Sequence, residues 1–341
     1  MPEENRQKIK LLKLMELLTR ESDEKHPLTT ARICEYLRGM GISCDRRTLT
    51  RDILVLNEYD YDVRFVMCGH EKGYYVQHGN FNEAELRMLM DTVQAANFLP
   101  EEETAALLHK LSGLTSLYRG RDRLKSLVLF NNRKHNNHAV LGNIHHLEDA
   151  LRIGCRVSFR YFDLNEKHER VYRREGREYK MIPAALVYCD DFYYLVTYSH
   201  HYHSTTNYRI DRMDNVQVLT DEKIEQETVQ ELRGLDFAGY TKEVFRMFGG
   251  APNVVRLRFD KELLGSVYDR FGEELTVKAA DDGRLETAVR IQVSPTFYGW
   301  VFQFGSKMQI MGPARVVSRF KELAAGVLTG PEEAPEEEAP F

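Results

Sequence analysis

The hydrophobic period changes near Arg156, and no other feature of the sequence constrains the fold as strongly. Upstream, apolar residues recur every three or four positions, the spacing of amphipathic helices; downstream, Val157, Phe159 and Tyr161 alternate with Ser158 and Arg160, the spacing of a strand. One chain therefore carries helical and sheet-forming parts in series. At 341 residues and roughly 150 residues per domain, several domains are expected, and the fold class is α+β multidomain.

The first 80 residues carry the most specific order of elements. Residues 6 to 20 read as a helix with Ile9, Leu12 and Leu17 or Leu18 on one side, ending before Pro27. Thr29 can cap a short second helix that Gly39 and Gly41 terminate, and Ser43 or Asp45 caps a third helix running to about Glu58. In that third helix Leu49, Ile53 and Leu56 share one stripe, Arg47, Thr50 and Arg51 lie opposite, and Arg46 sits at the exposed first turn. Val63 to Met67, a turn over Gly69 to Gly73 and a return through Tyr74 to Val76 complete a hairpin. Three helices followed by a hairpin is the winged helix-turn-helix order, whose third helix enters a major groove of about 12 Å. The candidate DNA contacts are Thr29, Arg46, Arg47, Thr48, Thr50 and Arg51, with Lys72 and Tyr74 on the wing. A solvated basic face has the same pattern; the order of elements favours the DNA reading.

The stretch CDRRTLTRDILVLNEYDYDVRFVMCGHEKGYYV, residues 44 to 76, resembles the recognition helix and wing of bacterial DeoR-like repressors. The shared residues are Arg47, Thr48, Arg51, Asp52, Leu56, Gly73 and Tyr74. In a repressor-like chain, two-fold symmetry would match a palindromic operator, so a homodimer on double-stranded DNA is expected. Residues 81–140 read as a helical connector. Asn82 and Glu85 form a capping-box start, Leu86, Leu89, Met90 and Val93 a stripe, and Pro100 opens a second helix. That stripe could be internal core or a dimer surface. Residues 119 to 139, with Asn131, Asn132, Asn136 and Asn137, read as a polar passage.

In residues 141–220 a helix around Gly142 to Arg152 precedes short strands, which suggests a small bent sheet or barrel. The run IPAALVYCDDFYYLVTYSHHYHSTTNYRIDRMDNVQVL resembles the WYL domain, with Tyr193-Tyr194-Leu195 at the naming triplet, tyrosine standing for tryptophan, and with Pro183, Arg209 and Arg212 as further marks. The resemblance implies an Sm-like bent sheet that binds a nucleic-acid fragment or nucleotide as effector. Candidate effector contacts are Ser158, Tyr161, Arg170, Tyr194, Arg209 and Arg212, whereas Tyr193 is expected to pack in the sheet. Between Arg156 and Lys180 eight basic residues face five acids, enough for a local basic rim. Residues 221–250 read as a linker. Residues 251–328 have a β-α-β-β order of ferredoxin-like type, and FYGWVFQFGSKMQIMGPARVVSRF resembles the WCX extension at Trp300, Phe304, Gly305, Gly312 and Pro313. There Arg256 and Arg258 are possible secondary contacts. The tail, 329–341, is acidic and expected to be disordered.

Net charge is −5, but the last twelve residues hold five acids and no base, so the remainder is neutral and a polyanion can be gripped only by local patches. Five scattered cysteines without a C-x-x-C pair speak against a disulfide framework. The charged N-terminus and the absence of a long apolar run predict a cytoplasmic protein with no membrane partner. Histidines cluster at His135 and His138, at His145-His146, and at His200, His201 and His203, the last in a hairpin turn with no cysteine or glutamate nearby in the sequence to complete a ligand set. No metal, cofactor or catalytic motif is therefore expected, and the chain reads as a DNA-binding transcriptional regulator rather than an enzyme. An RNA- or single-strand-binding accessory factor, for instance in phage defence, is the alternative.

Overall fold

A computed structural model of the protein describes residues 8–76, 81–127, 134 and 136–328. Asn131, Asn132, His135 and the acidic tail lie outside the described residues. The chain divides into two compact units, residues 1–138 and 139–341.

In the first unit, helix α1 (Lys10–Glu21) buries Leu14, Leu17 and Leu18. It is followed by strand β1 (Leu28–Thr29), helix α2 (Thr30–Gly39), helix α3 (Arg46–Glu58) and strands β2 (Val63–Cys68) and β3 (Glu71–Val76). The strands form an antiparallel sheet in the order β1-β3-β2. Ile33, Leu37, Leu49, Ile53 and Leu56 close one core against α1, and Cys34 meets Cys44 at 3.1 Å between sulfurs. Because Cys68 pairs with Glu71, the hairpin turns tightly at Gly69 and His70, and the return strand begins earlier than the sequence predicts. Gly73 has a packing reason: a Cβ there would lie 2.6 Å from Cys68 Sγ and 2.9 Å from Pro27 Cβ.

Helices α4 (Glu83–Ala95), α5 (Glu101–Ser112) and α6 (Leu117–Ser126) follow. Leu86, Met90, Leu108 and Leu127 pack together, so the α4 stripe serves an internal core. Helix α6 occupies part of the span read as a polar passage. Its charged sequence carries only a thin apolar pattern, but Ser116 caps it by accepting from Arg119 N–H at 3.2 Å, and Arg119 and Arg123 reach Glu83. Ser116 also donates to the buried Asp23 at 2.6 Å, tying α6 to the end of α1. Burial pushes the Asp23 carboxyl up, but hydrogen bonds from Ser116 and His26 bring it below its ordinary range.

The second unit opens with helix α7 (Val140–Ile153), ended by Gly154 at φ 69°. Strands β4 (Cys155–Leu164), β5 (Arg170–Tyr172), β6 (Tyr179–Cys189), β7 (Phe192–Ser199), β8 (Ser204–Arg209) and β9 (Met213–Lys223) build a curled antiparallel sheet in the order β5-β4-β6-β7-β8, with β9 also on β4. Three strands share β4, because its first half pairs with β6 and β9 and its far end with β5. Helix α7 packs on this sheet through Leu147 and Ala150, and Asn143 and His146 bond to the backbone of β9.

The span read as a linker is structured. It holds the end of β9, helix α8 (Gln226–Arg233) and helix α9 (Phe237–Glu243), with Val244, Phe245 and Met247 buried after them. Then come β10 (Ala251–Phe259), α10 (Leu264–Phe271), β11 (Val277–Ala279), β12 (Leu285–Val293), α11 (Pro295–Phe302), β13 (Met308–Gly312) and α12 (Ala314–Leu328). The antiparallel sheet order is β11-β12-β10-β13 over a core of Val255, Leu257, Phe259, Ile291 and Phe297. The sequence reading missed α11 and β13: the first is apolar on most sides and so shows no helical stripe, and the second is only five residues long. No helix among the described residues is long and apolar enough to cross a membrane.

Candidate nucleic-acid interface and effector site

Helix α3 is positioned by its N-terminal cap and by its apolar stripe. Asp45 Oδ1 accepts from the N–H groups of Arg47 (2.8 Å) and Thr48 (2.9 Å), while Thr48 Oγ1 accepts from Asp45 N–H at 3.0 Å, a complete capping box. These amides, Thr48 first, hold the Asp45 carboxyl below its ordinary range. Leu49, Ile53 and Leu56 fill the core, which turns Arg46, Arg47, Thr50 and Arg51 to solvent. None of these three arginines has an ion-pair partner among the described residues. Asp52, the acid beside Arg51, instead meets the nearly buried Lys10, with Nζ and Oδ2 2.8 Å apart. The outer face of α3 is thus basic, with no neutralising ion pair among the described residues.

Several predicted contacts have other duties. Thr48 is engaged in the cap, and Thr50 Oγ1 donates to Arg46 O at 2.9 Å. Thr29 caps α2 by accepting from Arg32 N–H at 3.3 Å. Tyr74 must be corrected. It is 5% exposed and belongs to the core, because β3 is the middle strand of its sheet and packs against the helices. Lys72 does reach the wing surface, where Nζ lies 4.1 Å from the ring centroid of the exposed Phe65.

In the second unit, the alternation of β4 places Phe159 and Tyr161 beside Tyr179 of β6 and Tyr208 of β8. Phe159 stacks on Tyr179 at 5.5 Å, and Tyr208 meets each of the other three rings edge-on at 5.3–5.5 Å. Two guanidinium groups from a short helical turn, Arg173–Gly176, cover this cluster: Arg173 over Tyr161 and Arg174 over Tyr179, 5.3 and 4.1 Å from the ring centroids. Arg174 and Glu175 both hold left-handed backbone, φ 54° and 57°, a conformation that costs side-chain-bearing residues roughly 1 kcal/mol each.

The predicted effector arginines come to this neighbourhood already engaged. Arg212 lies 2.9 Å from Asp163 Oδ1, and the same carboxylate takes Arg173 at 2.6 and 3.2 Å. Arg173, and then Arg212, hold the Asp163 carboxyl below its ordinary range. Arg209 grips the buried Asp211 with two nitrogens, at 3.1 and 2.7 Å, stacks 3.5 Å from the centroid of Phe192, and donates its backbone N–H to Tyr161 Oη at 3.2 Å. Arg170 stacks over Phe162 at 4.6 Å and lies 4.0 Å from Asp214, which also accepts from Tyr172 Oη (2.6 Å) and Arg160 (3.0 Å). Tyr172 and then the arginines keep the Asp214 carboxyl low.

Two further predicted contacts need correction. Ser158 is 1% exposed between β6 and β9, and its hydroxyl has no hydrogen-bond partner among the described residues. Tyr194 is buried against Val196, Val244 and Met247, and burial pushes its phenol up to about 12. Tyr161 is also largely buried, though its hydroxyl belongs to the arginine cluster, and the Tyr193 ring lies 5.1 Å from that of Tyr188. Arg258 is occupied by Glu286 and Asp282, and Arg256 lies against the backbone at Met311. Sequence reasoning did not single out Arg173, Arg174, Tyr179 and Tyr208; the two arginines were signalled only by the basic run between Arg156 and Lys180, and the two tyrosines by nothing beyond being aromatic residues in strands.

The WYL domain family matches residues 142–218, and the WCX domain family matches residues 252–328. The chain carries a WYL domain followed by a WCX domain. In the WYL domain, the ring cluster, Asp163 and the arginines all fall inside the matched span, while β9 continues to Lys223 beyond it. Among curated proteins none matches the chain. Among solved structures, proteasome accessory factor B/C (PafBC) of Arthrobacter aurescens is 16% identical at a TM-score of 0.26, over 98% of this chain and 49% of that one, so the chain spans about half its length. A CRISPR Cas-related protein is 12% identical at a TM-score of 0.37, over 96% of this chain and 84% of that one.

Proposed function

We propose that this WYL-domain protein is a DNA-binding transcriptional regulator whose activity is set by a nucleic-acid or nucleotide effector at the WYL domain. The observation that carries the reading is the outward trio Arg46, Arg47 and Arg51, without an ion-pair partner among the described residues, on a capped helix whose opposite face is core. On this reading residues 1–80 act as a winged helix-turn-helix, α3 enters a major groove, and Lys72 and the Phe65 tip touch the flanking backbone. Two copies would read a palindromic operator. The β11-β12-β10-β13 module would act as a ferredoxin-like domain that shapes the dimer. No chemistry of its own is assigned to the protein.

On this reading the effector is held by Arg173, Arg174 and Arg212, which gather around Asp163 and the ring cluster, rather than by the buried Ser158 or Tyr194. The guanidinium groups would supply bidentate phosphate contacts. An effector that binds one dimer geometry better than another would shift the spacing of the two α3 helices by its differential affinity. The test is fluorescence anisotropy with duplex from upstream of the protein's own gene, across a salt series. Arg47→Ala should abolish duplex binding and leave effector binding intact, and loss of both would refute the division of labour. Preference for unpaired strands with indifference to duplex sequence would instead favour the accessory-factor reading.

A further inference from the structure

The histidines of the β7–β8 turn lack a carboxylate partner in the local sequence, but the fold supplies one. Helix α8 returns to the turn and delivers Glu231, with Oε2 3.0 Å from His200 Nδ1 and Oε1 3.7 Å from His203 Nδ1. Donor atoms of the three residues all lie within 4.8 Å of one another. A four-coordinate zinc ion with bonds of 2.0–2.2 Å separates its ligand atoms by about 3.4 Å, a value between the two distances measured here. Tyr198 Oη donates to Glu231 Oε2 at 2.9 Å and lies 3.2 Å from His203 Nδ1, so a buried hydroxyl already orients the carboxylate.

We propose that His200, His203 and Glu231 form a site for a divalent first-row d-block cation of the zinc class, with Tyr198 as a positioning residue. Two imidazoles and one carboxylate suit zinc better than magnesium or calcium, which prefer all-oxygen sets. Three protein ligands leave a fourth position open. A cavity of about 340 Å³ lies beside the set, lined by Arg156, Lys180, Tyr198, His200, Glu225 and Thr228. That position therefore suits water or an anionic oxygen. Because two ligands come from the hairpin and one from α8, the ion would fasten the segment after the WYL-matched span onto the sheet. The other clusters offer less: among the described residues His145 meets one carboxylate, Asp149 at 3.5 Å, and His138 is a single imidazole beside Glu103 (3.0 Å) and Glu102 (4.0 Å).

The test uses untagged full-length protein stripped with EDTA and dialysed. Zn²⁺ is titrated against a chromophoric chelator, and Co²⁺ is added separately as a spectroscopic probe. One ion per chain is expected, with the visible absorption of a four-coordinate cobalt site. His203→Ala and Glu231→Gln should each weaken binding roughly 100-fold, Tyr198→Phe about tenfold, and His145→Ala not at all. His203 is exposed in a turn, so its removal leaves folding intact. In the wild-type protein Zn²⁺ should also slow amide exchange over residues 226–233, an effect absent in Glu231→Gln. Absence of stoichiometric binding, or binding untouched by both ligand substitutions, overturns the proposal.

Discussion

The Lys10–Asp52 pair gives a prediction that links charge to the stability of the head formed by α1, α2, α3 and the β2–β3 hairpin. Lys10→Met leaves the aliphatic packing of the stem in place but strands the Asp52 carboxylate, whose side chain is only 22% exposed, beside the apolar side of α3. Breaking a buried pair by removing one partner costs 3–5 kcal/mol, whereas replacing both by apolar groups is often neutral. Asp52 keeps some access to water, so the lower end, about 3 kcal/mol, applies. That is roughly a 100-fold loss in the protection of amides over α1 and α3. Hydrogen exchange read by mass spectrometry is the suitable assay, because the single tryptophan, Trp300, lies in the WCX domain and not in the head. The double variant Lys10→Met with Asp52→Leu should recover most of the protection. Unchanged exchange over residues 46–58 in the single variant, or no recovery in the double, would refute the reasoning.

Three other perturbations separate packing from contact. Tyr74→Ala should destabilise the head by about 3–5 kcal/mol through the cavity it leaves, while Tyr74→Phe should bind duplex as the wild type does in an anisotropy titration. Gly73→Ala should lower the melting temperature of the head and speed exchange in β2 and β3, because the added carbon would lie 2.6 Å from Cys68 Sγ and 2.9 Å from Pro27 Cβ, so that one of them must shift. The Asp163 carboxyl is held low in the folded protein by Arg173 and Arg212, so its contribution is present above the unfolded value of about 3.9 and is lost as pH falls through the lower folded one. Asp163→Asn should therefore speed exchange in β4 at neutral pH, with the difference from wild type disappearing below that window.

Legibility followed locality. The stripe Leu49, Ile53 and Leu56 fixed both the helix and its outward arginines, since one helical period decides both faces. Tyr74 misled because the alternation of a strand tells inside from outside only when one face is bare, and β3 is paired on both edges and covered by helices. The arginines at 209 and 212 were visible in the sequence, but Asp163, 49 residues before Arg212, becomes a neighbour only through the curl of the sheet. Glu231 is likewise 31 residues from His200. Helix α6 was hidden because caps and ion pairs, rather than an apolar stripe, hold it in place.

Asp163 serves two guanidinium groups, one from the turn before β6 and one from the turn before β9, and a single negative charge cannot balance both. The charge of this cluster is thereby left unsettled at rest, with its cationic arms already gathered. On the function proposed above, a visiting oxyanion would need only to take over one arm while Asp163 keeps the other, so capture would demand little reordering of the protein, and the visitor's departure would return each group to a waiting partner.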